Sequence, residues 1–283
     1  MSGSPVLLLL AYCVAIACFS LAGGQLPNWV KMTHTRTQLM MSLVSGLMLG
    51  VAFYHLLPHS IALEQGSVDR SVWWLMLGLI GMLLMLRMFH FHQHDFSLEE
   101  GVHYEHGHGH SHGHVNGQEG VHSLSWVGIA LGLGVHTLID GVALGAVMVG
   151  ESHSHTTVLA GFGVFLAILL HKPLDAMSIT SVMEAGGWSP RARLATNLAF
   201  ALLCPLGALA FYFGIDSLTG SPEVLVGAAL AFSAGAFICI ALSDLLPEVH
   251  FHSHDRGKLT AAFMLGIVLA YGIGAIEPSS MHH

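Results

Sequence analysis

Eight apolar runs, each close to twenty residues or longer, dominate this chain: 5–26, 38–58, 71–89, 125–149, 157–183, 192–214, 223–247 and 258–277. A helix needs ~20 residues to cross the ~30 Å hydrocarbon core of a bilayer. Inside lipid the backbone must satisfy its own N–H and C=O groups, which leaves only helices and closed barrels. Runs of this length select helices. The composition agrees, with 53% hydrophobic and 9% charged residues, against about 25% charged in a soluble domain. The mean hydropathy is +0.67. The expected fold class is an all-α integral membrane protein of eight transmembrane helices. No basic segment precedes the first run, so 5–26 reads as a span and not as a cleaved leader. Cys13, Cys18, Cys204 and Cys239 all fall within apolar runs, as small buried residues with no CxxC spacing. Nothing in the composition points to nucleic acid; the expected surroundings are a lipid bilayer.

The basic residues orient the spans. Lys31, Arg36, Arg87, Arg191, Arg193, Arg256 and Lys258 fall on one side of an eight-span chain, and Arg70 alone on the other. The positive-inside rule then puts these loops in the cytoplasm and both termini outside. The expected location is the cell (inner) membrane, as a multi-pass protein.

An internal repeat follows. Gly46 to His59, ending His55-Leu56-Leu57-Pro58-His59, aligns at a constant offset of 189 with Gly235 to Glu248, ending Asp244-Leu245-Leu246-Pro247-Glu248. Span two runs outward and span seven inward, so the copies are inverted. Spans one to three and six to eight thus form inverted repeats around spans four and five, a 3+2+3 arrangement. That is an architecture of alternating-access transporters with a midplane site. His55 and His59 would mark the outer end of the path, and Asp244 and Glu248 the inner end.

The central spans carry the chemistry. His136 and Asp140 lie four residues apart in span four, and His171 and Asp175 four apart in span five. That spacing stacks each pair on one helix face. Ionisable groups at mid-bilayer are costly, about 2.5–3.5 kcal/mol each, so a doubled pair argues for use. Imidazole and carboxylate together suit a borderline divalent cation such as Zn²⁺. Gly128/Gly132 and Gly141/Gly145 have GxxxG spacing for close helix approach. Pro173 should kink span five beside the site. Lys172 either takes the place of a second cation or neutralises Asp140 or Asp175; its position alone does not decide.

Residues 90–122 hold ten histidines, among them His106, His108, His110, His112 and His114 interleaved with Gly and Ser. Such a segment cannot build a packed core and reads as a disordered, weakly metal-binding cytoplasmic loop. His250, His252 and His254 would extend the inner end of the path; His153 and His155 could collect ions outside. The expected organisation is 1–89 for spans one to three, 90–124 for the loop, 125–184 for the central spans with the metal site, and 185–283 for spans six to eight.

These residues resemble the ZIP (Zrt-/Irt-like) family of divalent metal transporters. Its HNxxDG pattern matches His136, Thr137, Asp140 and Gly141, with Thr for Asn. Its HExxxE pattern matches His171, Lys172 and Asp175, with Lys and Asp for the two Glu. The HK pair resembles one branch of the family. The resemblance implies His136, His171 and Asp175 as primary ligands, Asp140 as a nearby ligand or pathway residue, and Zn²⁺ as transported substrate, with Cd²⁺, Fe²⁺ or Mn²⁺ as alternatives. The missing Asn and Glu favour a mononuclear site. The competing functions fit less well. A cation-diffusion-facilitator exporter would have six spans and a soluble metal-binding domain. A membrane-embedded zinc hydrolase would need a general base and an open water position, and no HExxH motif occurs; no enzyme activity is expected. Small-residue helix faces are compatible with a homodimer.

Overall fold

The computed structural model describes residues 5–29, 34–64, 66–89, 119–152, 160–218, 222–245 and 256–276. All regular structure among them is helical: α1 (Pro5–Trp29), α2 (His34–Val51), α3 (Leu57–Leu63), α4 (Val68–Phe89), α5 (Glu119–Ser152), α6 (Phe162–Ala185), α7 (Pro190–Leu218), α8 (Pro222–Ile240) and α9 (Arg256–Ile276). Among the described residues, eight stretches are long and apolar enough to cross a membrane. The first, Pro5–Leu26, matches the sequence expectation to the residue. α5 begins at Glu119, so residues 119–124, assigned to the disordered loop, are helical. Once a helix is nucleated by its apolar stretch, adding polar residues at its end needs only one more backbone bond each.

α2 and α3 form one span joined by a π-helical turn, Ala52–Leu56, in which Leu57 N–H reaches back to the Ala52 carbonyl. The cause is Pro58, which has no N–H to give to the carbonyl of Tyr54 and whose ring would clash with it. A single wide turn absorbs the misfit. α8 ends in a second π-helical turn, Ala241–Leu245. The sequence offset of 189 carries the first turn onto the second, and His55 onto Asp244.

The packing follows the same symmetry. The most extensive helix contacts pair α2 with α9, α4 with α8, α5 with α7, and α1 with α6. Exchanging the two repeats, together with the two central helices, turns each pairing into another of the set. Glycines make these contacts close. A Cβ on Gly46 would strike the backbone of Phe263 in α9, and one on its repeat equivalent Gly235 would strike the Leu75 carbonyl in α4. Gly78 and Gly266 make the reciprocal approaches, to Phe232 and to Leu43. Without a hydrophobic force between helices in lipid, such small-residue contacts drive association. Buried hydroxyls add to it: Ser42 donates to the Leu259 carbonyl at 2.6 Å and Ser45 to that of Ala241 at 2.8 Å.

α8 is the most enclosed span, while α4 and α9 lie at the periphery. Their exposed side chains, Trp73, Leu77 and Leu84 on α4 and Met264, Val268 and Tyr271 on α9, form an apolar outer surface suited to lipid. Arg70, the lone basic residue on its side, has Nε 3.3 Å from Oε2 of the buried Glu64.

Adding one methyl group tests the packing. Gly46→Ala and Gly235→Ala should each destabilise the protein by about 1–3 kcal/mol, the cost of overpacking. Gly81, whose Cβ position meets no atom within 4 Å, should tolerate Ala or gain from it. Thermal unfolding in detergent reads the difference. A Gly46→Ala variant as heat-stable as the parent would refute the close contact.

Candidate metal centre

α5 and α6 bring His136, Asp140, His171 and Asp175 together; one ligand atom from each lies within 4.8 Å of all the others. Each helix is held from behind. Gly141 and Gly145 of α5 lie against the backbone of α7 at Cys204 and Ala208, and Gly23 of α1 lies against Pro173 of α6. One GxxxG pair is thus a contact face with α7. α6 stays helical through Pro173.

The four His–Asp separations are narrow. His136 Nε2 lies 3.5 Å from Oδ2 of both Asp140 and Asp175. His171 Nε2 lies 3.2 Å from Asp140 Oδ2 and 3.8 Å from Asp175 Oδ2. Ligands about 2.0–2.1 Å from a tetrahedral zinc ion are ~3.3–3.4 Å apart, so the donors already sit near the edges of such a tetrahedron. Asp140, which the resemblance left as a nearby residue, is as central as Asp175.

The ring orientations agree. His171 Nδ1–H donates to the Ala167 carbonyl at 2.8 Å, which aims Nε2 at the carboxylates, within hydrogen-bond distance of Asp140 Oδ2 at 3.2 Å. A backbone partner on the far nitrogen is the usual way a ligating imidazole is oriented. The two imidazoles stack at 5.4 Å between centroids, and Phe237 closes the edge of His171 at 6.4 Å. His136 is buried with no hydrogen bond at either ring nitrogen among the described residues. Buried polar atoms are almost always partnered, and this one faces two carboxylates across a gap of ion size. The donor set therefore fits a divalent cation.

Lys172 also enters the site. Its ammonium forms an ion pair with Asp140 Oδ2, lies 3.2 Å from Asp175 Oδ2 and donates to Thr137 Oγ1 at 3.0 Å. Phe200 lies beneath it at 5.6 Å. It thus touches both aspartates, on the same oxygens that face the histidines.

The expected gate residues are placed in part. His55 is buried in the first π-helical turn, and its Nε2–H donates to the Ala270 carbonyl at 2.9 Å. Its ring lies against Gly163 at the start of α6. His59, one turn on, is half-buried and faces Glu151, with His59 Nε2 3.9 Å from Glu151 Oε1. Asp244 sits in the second π-helical turn. Glu248, the loop histidines His106, His108, His110, His112 and His114, and His153, His155, His250, His252 and His254 lie outside the described residues. The sequence reading overlooked Glu151. It follows Asp140 by eleven residues, close to three full turns, so it shares the ligand face of α5.

The match to known proteins follows this geometry. The chain is 37% identical to zinc transporter ZIP9-B of Xenopus laevis over 157 residues, 52% of this chain and 49% of that one. It is 35% identical to zinc transporter ZIP9 of Micropogonias undulatus over 165 residues, 54% of this chain and 51% of that one. It is 29% identical to the zinc transporter foi of Drosophila melanogaster over 155 residues, 55% of this chain and 20% of that one. The chain spans about half the length of the ZIP9 relatives it matches. The family model described as the ZIP zinc transporter matches residues 87–274, which include both site helices and most of the second repeat. The chain belongs to the ZIP zinc transporter family.

Proposed function

We propose that the chain carries zinc ions across a membrane into the cytoplasm by alternating access, through a single site formed by His136, Asp140, His171 and Asp175. The observation that carries this reading is the buried cluster of two imidazoles and two carboxylates, set between inverted repeats. Family membership and the zinc-transporter relatives support zinc as the substrate; Cd²⁺, Fe²⁺ and Mn²⁺ suit the same ligands less selectively. The inward direction rests on the distribution of basic residues, which places both termini outside and the 90–124 loop in the cytoplasm. The His-rich tract then meets arriving ions as a weak buffer.

In this reading Lys172 holds the aspartates while the site is without metal. An arriving ion competes with the ammonium for the same two oxygens, while Thr137 Oγ1 and the Phe200 ring stay available to it. The ammonium takes the place of a second cation, so the site binds one ion.

Radioactive zinc uptake into proteoliposomes, with gradients imposed in each direction, tests the activity. The His136→Ala/His171→Ala double variant should lose saturable uptake while folding normally; uptake equal to the parent's would refute the site. Lys172→Met tests the counter-ion. Removing one partner of a buried ion pair costs about 3–5 kcal/mol, so the metal-free variant should melt well below the parent. Zinc should restore much of that loss, giving a larger zinc-induced rise in Tm than the parent shows. An equal rise in both proteins would sink the counter-ion role.

A further inference from the structure

We propose that His59 and Glu151 form a second divalent-cation site, of the borderline type that takes Zn²⁺, where the end of α3's span, the end of α5 and the start of α6 meet. It would load ions onto the central site, a role that rests on the transport reading; the binding itself does not.

Both side chains are aimed by backbone bonds. His59 Nδ1 lies 2.9 Å from the His55 carbonyl. A carbonyl can only accept, so Nδ1 carries a proton, and when the ring is neutral Nε2 is its lone-pair nitrogen. That nitrogen faces Glu151 Oε1 at 3.9 Å. The other carboxylate oxygen, Oε2, accepts the N–H of Gly161 at 2.9 Å, which turns Oε1 toward the imidazole. Gly161 has φ +65°, a left-handed conformation that glycine takes without steric cost. With the ring neutral, two ligand atoms face one another at 3.9 Å, a separation that a cation would bridge. Ligands ~2.0–2.1 Å from zinc sit about 3.3 Å apart, so closure asks for well under 1 Å of movement.

Location supports the role. The side chains of His59 and Glu151 are 23% and 15% exposed, so an ion can arrive from water and keep some of its own water ligands. Glu151 lies on the ligand stripe of α5, ~16 Å along the axis from Asp140. On the neighbouring span His55 lies one turn below His59, its ring against Gly163; from there α6 leads, in eight residues and ~12 Å, to His171. A Cβ on Gly163 would come within 2.9 Å of the His55 ring, so the glycine is what lets the imidazole lie between the two stations.

The test uses the full-length protein in lipid nanodiscs, titrated with Zn²⁺ by calorimetry and with Co²⁺ by absorption. Differences from the parent cancel the contribution of the loop histidines. Glu151→Gln, which keeps an acceptor for Gly161, and His59→Ala should each lose one Zn²⁺ equivalent, or weaken it by about tenfold or more. The His136→Ala/His171→Ala variant should keep that equivalent. His59→Cys should keep the site and shift its preference toward Cd²⁺. Unchanged Zn²⁺ binding in Glu151→Gln, together with no gain for Cd²⁺ in His59→Cys, would overturn the proposal. In proteoliposomes Glu151→Gln should raise KM and leave the maximal rate near the parent's. A parent protein that binds through Glu151 yet shows no uptake would sink the transport reading alone. Normal uptake with Glu151-independent binding would sink the second site alone.

Discussion

Two carboxylates in an apolar interior govern this structure. Asp140 is fully buried and Asp175 is 13% exposed, within spans where each charge costs about 2.5–3.5 kcal/mol even on a lenient scale. Such groups persist only if cationic or donor groups converge on them. Asp140 Oδ2 collects both imidazoles and the Lys172 ammonium. Two of those contacts, from His171 and Lys172, cross between helices, so α5 and α6 must approach closely and hold their register. The glycine contacts of α1 and α7 behind them secure that register.

The remaining four spans repeat one design twice. Gly46 and Gly235 occupy equivalent positions and make equivalent approaches to a peripheral helix. Each copy then widens into a π-helical turn that ends two residues before a proline in the sequence, Pro58 or Pro247. Each of those turns contains an ionisable residue, His55 or Asp244. Pro58, of a kind that a soluble helix would place at its end, is here used inside a span, and the wide turn before it is the structural consequence.

Much of this was legible in the sequence, for identifiable reasons. Length and apolarity reveal spans because lipid permits so few alternatives; hence Pro5–Leu26 emerges unchanged. The i,i+4 pairs of span four and span five reveal the cluster because helical periodicity is nearly rigid. Tertiary facts were less accessible. Lys172 follows His171 directly and points about 100° away at its Cα, yet its four-carbon stem lets the ammonium reach the same aspartate oxygens. Glu151 escaped notice because its significance depends on His59, a residue ninety-two positions away, although its shared stripe with Asp140 was a usable signal. The helical start at Glu119 lay in a stretch too polar to register as part of a span.

Lys172 has an electrical consequence. In the proposed transport, with both imidazoles neutral, two carboxylates and one ammonium leave the empty site one net negative charge, and a divalent ion would reverse that to one net positive charge. The loaded and unloaded forms are therefore equal in magnitude and opposite in sign. A full crossing of a 100 mV potential acts on each with about 2.3 kcal/mol. An inside-negative potential would draw the loaded form inward and drive the empty form back out. Without the lysine the loaded site would be neutral, and the whole electrical force would fall on the return of a doubly charged empty one.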